Sequence, residues 1–311
     1  MKKILITGGA GFIGSKLSTL LLAKGFKLTI LDNLMFSKNS LNHLFVHKNF
    51  EFYEGDIRNI KFIKEHLKNK DYIIPLAGMV GAPLCAKYPK LTIETNLNAI
   101  KTILKNIKSS QKIIYPTSNS GYGIGEKNKY CDENSPLRPI SLYGRTKADA
   151  EREVIKFKNS ICFRLATIFG YSYRMRSDLL VNNLVSTAIN DKKISVFQPN
   201  FRRNFIHIND VVEAFLFAIE NFNSLKGEVY NLGLSSANIT KIQLVKKIKK
   251  YVPGLKIKIV KNKKDPDQRD YFVSNKKIEK KGFKAKTTLD EGIKELVQIF
   301  KITDIKFKNN Y

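Results

Sequence analysis

Three glycines spaced three residues apart, Gly8, Gly11 and Gly14 in TGGAGFIG, follow the apolar run KILIT and open the helically spaced SKLSTLLLAKG. Such glycines let the chain turn tightly, let a pyrophosphate approach the backbone and let the helix pack on the strand, while the helix amino terminus attracts the anion. A glycine turn alone is common punctuation; the strand-to-helix setting is what a dinucleotide fold requires. Asp32 closes the next β-rich run, KLTILDN, about 20 residues on, where a carboxylate accepts hydrogen bonds from ribose hydroxyls and repels a 2′-phosphate. NAD is thereby favoured over NADP, and an aspartate that merely caps a turn is the alternative.

The runs FEFYEGD, DYIIPLAG, KIIYPTS and ICFRLATIFG continue the pattern, each β-rich and mostly separated by helical spacing. This alternation predicts an α/β fold, a Rossmann-type doubly wound parallel sheet with right-handed crossovers. After Gly170 the rhythm loosens into SDLLVNNLVSTAIN (helix), ISVF (strand), NDVVEAFLFAIENF (helix), EVYNLG (strand) and TKIQLVKKIKKYV (helix). The expected organisation is a nucleotide-binding domain over 1–170, with 205–222 packing back onto it, and a smaller substrate-binding lobe over 171–311. KIKIVKNKKD reads as a solvated strand and loop, and the terminal KFKNNY as frayed.

A chain of 311 residues, 43% hydrophobic, can bury a sizeable core. Its 55 Lys+Arg against 27 Asp+Glu give a net charge of +28, which invites polyanions. Lysine far outnumbers arginine, and Asn and Ile are abundant, as A+T-rich coding would produce, so the charge identifies no ligand. No aromatic-rich RNA motif accompanies it, and nucleic acid is not expected. Cys85, Cys131 and Cys162 form neither a disulfide framework nor a zinc site, which suits a reducing cytoplasm and no metal. The first residues imitate a signal peptide, but their apolar run is short and cut by glycines. No stretch approaches the ~20 apolar residues of a membrane span.

SLYGRTK sets Tyr143 and Lys147 at i and i+4, on one helix face. An ammonium beside a phenol favours the phenolate, drawing a pKa of about 10 toward the range of a general base. By spacing alone a common surface Tyr/Lys pair is the better reading. Ser118, at the end of KIIYPTS about 25 residues earlier, can hydrogen-bond a substrate hydroxyl. Glycine cradle, ribose carboxylate, serine and Tyr-x-x-x-Lys stand in the order of the extended short-chain dehydrogenase/reductases, and the chain resembles that family along nearly its whole length.

The resemblance implies that Tyr143 takes a proton from a sugar hydroxyl while hydride leaves the same carbon for the nicotinamide of NAD. Lys147 is then its electrostatic partner and a ribose ligand, and Ser118 steadies substrate and phenolate. It further implies cofactor contacts from Gly8, Gly11, Phe12, Ile13 and Gly14, from Asp32, Asn33 and Ser37, and from Asp56, Ile57, Leu76, Ala77 and Gly78. Asn96 matches a family asparagine of structural character. The substrate lobe resembles that of nucleotide-sugar epimerases and dehydratases: VNNLV implicates Asn183, RRNFIHINDVV implicates Arg203 and DPDQRDYF implicates Arg269 in holding the diphosphate. His207 reads as a packed strand residue.

The departures narrow the choice. Dehydratases of the family carry Asp-Glu directly after the catalytic Ser/Thr, and this chain has Asn119 and Ser120, neither an acid nor a base near neutral pH. 4,6-Dehydration is therefore disfavoured, and Asn119 is expected among the substrate-binding residues. Val80 replaces the lysine familiar in galactose epimerases. PLAGMVGAPLC, NSGYGIGE, RLATIFG and RMRSDLLVNNLV are similar to a branch that oxidises carbon 4 of GDP-D-glycero-α-D-manno-heptose in capsule synthesis. In that setting Arg174 and Arg176 would meet NAD, substrate phosphates or a 2-oxo acid that reoxidises the cofactor. A 4-epimerase and a non-catalytic NAD-binding protein remain the alternatives. Family likeness also implies a homodimer through helices near 91–108 and 141–158.

Overall fold

The computed structural model describes residues 1–126, 129–260 and 269–302; part of the lysine-rich loop after Val260 and the terminal KFKNNY lie outside them. The chain opens β1 (Lys3–Thr7), α1 (Phe12–Ala23), β2 (Lys27–Asp32), β3 (Phe50–Glu54), α2 (Ile60–Leu67) and β4 (Tyr72–Pro75). Short helices α3 (Ala82–Lys87) and α4 (Pro89–Ile93) lead through a π-helical turn at Glu94–Asn98 into α5 (Ala99–Asn106) and β5 (Lys112–Ser118). Then come β6 (Tyr130–Cys131), α6 (Leu142–Val154), β7 (Ser160–Leu165) and β8 (Thr167–Phe169).

The remainder is α7 (Leu180–Asp191), β9 (Lys193–Phe197), β10 (Arg202–His207), α8 (Ile208–Glu220), α9 (Phe222–Leu225) and β11 (Glu228–Leu232). It closes with β12 (Asn238–Thr240), α10 (Lys241–Tyr251), β13 (Lys256–Val260), β14 (Phe272–Val273), α11 (Lys276–Lys280) and α12 (Leu289–Ile302). The main sheet has seven parallel strands in the order β11-β7-β5-β4-β1-β2-β3. Strand order reverses between β1 and β4, and that reversal opens a crevice at the carboxyl ends of the strands.

Both faces of the sheet are covered, which is why its strands read as apolar runs rather than alternating ones. Ile4, Ile6 and Ile30 pack with Leu17 and Leu21 of α1 and Val211 and Phe215 of α8. On the opposite face Leu5, Ile73 and Ile113 meet Ile63 of α2, Ile103 of α5 and Ala150 and Val154 of α6. A separate core joins α7, α10 and α12 through Val185, Leu244 and Leu296.

Two sequence expectations need correction. ICFRLATIFG is two strands: at Ala166 the N–H turns to Leu232 O, at 2.9 Å, and β8 leaves the main sheet to pair with β10, itself paired to β12. The boundary at 170 divides the sequence but not the sheet. β11 returns to pair with β7 because its last three residues, all buried, need cover on both faces, and α8 lies on α1.

Candidate active site

The turn after β1 is shaped by close approach. Gly8 has φ +73, and a Cβ there would stand 2.4 Å from Ala77 N; one on Gly14 would stand 2.4 Å from Gly8 O. The first turn of α1 has no side-chain cap and no acidic residue, so its free N–H groups face an anion site. Asp32 accepts from Ala10 N and Leu34 N, each at 2.9 Å. Burial pushes its carboxyl up, against those two hydrogen bonds and the charge of Arg174. The carboxylate retains lone pairs for a ribose. Asp56, by contrast, is held by Arg58 at 2.6 Å, which pulls its pKa down, and Arg58 reaches on to Glu94.

Asn96 organises the loop after β4. Its side chain accepts from Met79 N at 2.8 Å and donates to Met79 O at 2.9 Å, and also meets Thr146 of α6. A Cβ on Gly78 would come within 3.0 Å of the same amide oxygen. The Ser141 hydroxyl caps α6 by accepting from Gly144 N at 3.1 Å, which starts the helix so that Tyr143 and Lys147 face the loop. The ammonium of Lys147 sits 4.1 Å from the ring centroid of Tyr115.

Burial lowers the pKa of Lys147 to about 7, opposed by Cys162, Glu151 and Cys85. Burial also raises the Tyr143 phenol, as does Cys85, while Arg269, the Ser118 hydroxyl and Arg176 pull it back. A phenol lowered by its lysine neighbour was expected; desolvation reverses the sign here. Both side chains keep part of their surface open to the cavity, so water there softens the shifts.

Gly8, Gly14, Asp32, Asp56, Met79, Ser141, Tyr143 and Lys147 line one cavity of about 520 Å³. It gathers every residue expected to touch NAD, together with Ser118, Arg174, Arg176, Asn183, Arg203 and Arg269. Arg203, only 2% exposed, stacks near Tyr271, and Arg269 donates to Tyr271 Oη at 3.3 Å. Arg174 lies over Phe36. Arg176 is paired with the buried Asp178, a cavity residue that sequence reading passed over although it stands in the quoted RMRSD.

Asn119 is the correction. It is 1% exposed, is absent from the cavity wall, and leaves both side-chain polar atoms without a partner among the described residues. Its neighbours Ser118 and Ser120 face the cavity instead, so a place beside Ser118 in the sequence is no guide to which side of the turn a residue occupies. Ser120 was the residue to notice. His207 packs on Phe169 and meets Glu295 at 2.5 Å, away from the cavity. No cluster of metal-ligating side chains occurs among the described residues, and no helix among them is long and apolar enough to cross a membrane.

A crevice over the strand reversal, with a glycine cradle at one end and Ser118, Tyr143 and Lys147 at the other, defines an extended short-chain dehydrogenase/reductase. The chain belongs to the NAD dependent epimerase/dehydratase family, whose model matches residues 4–233. It is 30% identical over 313 residues to a Methanocaldococcus jannaschii protein provisionally named UDP-glucose 4-epimerase, covering 96% of this chain and 98% of that one. The structure of UDP-glucose 4-epimerase from Thermotoga maritima with UDP-glucose superposes with TM-score 0.84 and 26% identity, covering 96% and 99% of the two chains. dTDP-glucose 4,6-dehydratase of Bacillus anthracis in complex with NAD shares the fold at TM-score 0.84 and 24% identity, with 98% of each chain covered.

Proposed function

We propose that this enzyme oxidises carbon 4 of a nucleotide sugar and releases the ketone, with GDP-D-glycero-α-D-manno-heptose as the leading substrate. The observation that carries the reading is the single cavity in which the glycine cradle, the Ser118, Tyr143 and Lys147 group and the arginine side meet. NAD, when bound, supplies the hydride acceptor and a cationic ring. Gly8, Gly11 and the start of α1 would hold its pyrophosphate, and Asp32 its adenosine ribose. Tyr143 accepts the proton of the sugar hydroxyl through its phenolate oxygen. Ser118 donates to that oxygen and orients the hydroxyl, while Lys147 holds the nicotinamide ribose and stabilises the phenolate. Arg203 and Arg269 bind diphosphate oxygens with their forked donors.

Elimination of water across carbons 5 and 6 is disfavoured, because position 119 is an amide outside the cavity lining and position 120 a hydroxyl, neither an acid nor a base near neutral pH. A 4-epimerase is the second reading, favoured by the names of the relatives. It uses the same groups and returns the hydride to the opposite face of the ketone. The heptose assignment rests on the motif likeness alone, as does a 2-oxo acid that would meet Arg174 or Arg176 and reoxidise the cofactor.

The test is the product mass after purified protein meets NAD and the GDP-heptose, with a 2-oxo acid present. Loss of a hydrogen pair is expected. Unchanged mass with inverted carbon 4 would replace the dehydrogenase by the epimerase, and untouched substrate would remove the heptose from the proposal.

A further inference from the structure

Ser118 ends β5, and the chain passes at once into the single turn Asn119–Tyr122. The Ser118 hydroxyl accepts two hydrogen bonds there, from Ser120 N at 3.1 Å and from Ser120 Oγ at 2.9 Å. A serine hydroxyl has two acceptor sites and one proton. With both acceptor sites engaged, Ser118 has only its proton left to offer. Ser118 and Tyr143 line the same cavity, and the Ser118 hydroxyl draws the phenol of Tyr143 toward its phenolate.

Ser120 is fixed in place to do this. It is 1% exposed and still borders the cavity. Its carbonyl lies where a Cβ on Gly144 would come within 3.0 Å, so the turn is packed against α6 one residue beyond Tyr143. Neither the Ser118 partnership nor this packing follows from the roles assigned so far.

We infer that Ser120 is a positioning residue whose hydroxyl, by donating to Ser118, commits the Ser118 proton to the oxygen of Tyr143 and the reacting sugar hydroxyl. The inference rests on Tyr143 being the base. No bond to Ser120 forms or breaks. As hydride leaves carbon 4 for NAD, the hydroxyl proton passes to the Tyr143 oxygen, and Ser118 keeps its own proton while donating to that oxygen. Without the Ser120 hydroxyl, Ser118 regains an acceptor site and can turn to accept from the phenol, and the phenolate loses its constant donor.

The other groups facing Tyr143 are Cys85 of α3, Tyr115 of β5, Arg176 and Arg269 from the substrate side, and Lys147 on its own helix. These stay constant in the comparison. In full-length protein saturated with NAD, the ultraviolet phenolate signal of Tyr143 is read as the difference between each variant and its Tyr143→Phe counterpart. Ser120→Ala is expected to cost the phenol roughly three- to tenfold in acidity, the worth of a modest hydrogen bond. Ser118→Ala should cost as much or more, and Ser118→Ala with Ser120→Ala no more than Ser118→Ala alone.

Additive shifts, or an unmoved titration in Ser120→Ala, would overturn the inference. Should Ser120→Ala not fold, Ser120→Thr against Ser120→Val makes the same comparison, and only the valine should shift the phenol. No sugar enters this titration, so a wrong substrate leaves it standing. Turnover of a nucleotide sugar with an unmoved titration would instead retire Ser120 and keep Tyr143.

Discussion

At the scale of single residues, the site depends on two groups that burial drives in opposite directions. Tyr143→Phe should abolish turnover while NAD affinity, measured by fluorescence titration, stays nearly intact; residual turnover would take the phenol out of the reaction. Lys147 titrates near 7 in the folded chain and at about 10.4 when unfolded. Between those values the unfolded state holds the extra proton, so the contribution of Lys147 to stability rises with pH through that window and is lowest below it. The melting temperature of the wild type, taken relative to Lys147→Met, should therefore climb from about pH 7 to about pH 10. A flat difference would show that water in the cavity already solvates the ammonium. Gly8→Ala should abolish NAD binding, because the new Cβ meets the Ala77 backbone at a φ that alanine rarely adopts.

At the scale of elements, α6 is held to the sheet by a buried pair. Arg164 of β7 grips Glu151 of α6 with contacts of 2.6–3.1 Å and also donates to the hydroxyl of Tyr122. Arg164→Met would leave Glu151 charged and alone, at a cost of roughly 3–5 kcal/mol, readable by denaturant unfolding; a loss below about 1 kcal/mol would mean that Glu151 takes up a proton or reaches water. Nothing local in the sequence announces this pair. The first five strands and the Tyr143/Lys147 ladder were legible because each is a local pattern, an apolar run or a four-residue spacing. The break at Ala166 was not, since its cause is a carbonyl at Leu232, far along the chain. That Ser120 lines the cavity and Asn119 does not was equally hidden, since it depends on how the turn after β5 is placed and not on the order of its residues.

At the scale of the whole molecule, one of the helices expected to form a two-fold contact carries an exposed apolar residue, Ile93, at 40% exposure. A two-fold contact there predicts that the wild type sediments as a dimer and Ile93→Asp as a monomer; a monomeric wild type would remove the dimer, and a dimeric variant would move the contact elsewhere. The late arrival of β11 has a consequence for how the protein is made. A ribosome that has released 170 residues has released a sheet whose β7 edge is still bare, and the strand that covers it follows only after α7, β9, β10 and α8 have emerged. The two lobes are therefore not separable parts but a nested pair, and a gene cut at the apparent seam would yield an open edge ready to pair with its neighbours rather than a smaller enzyme.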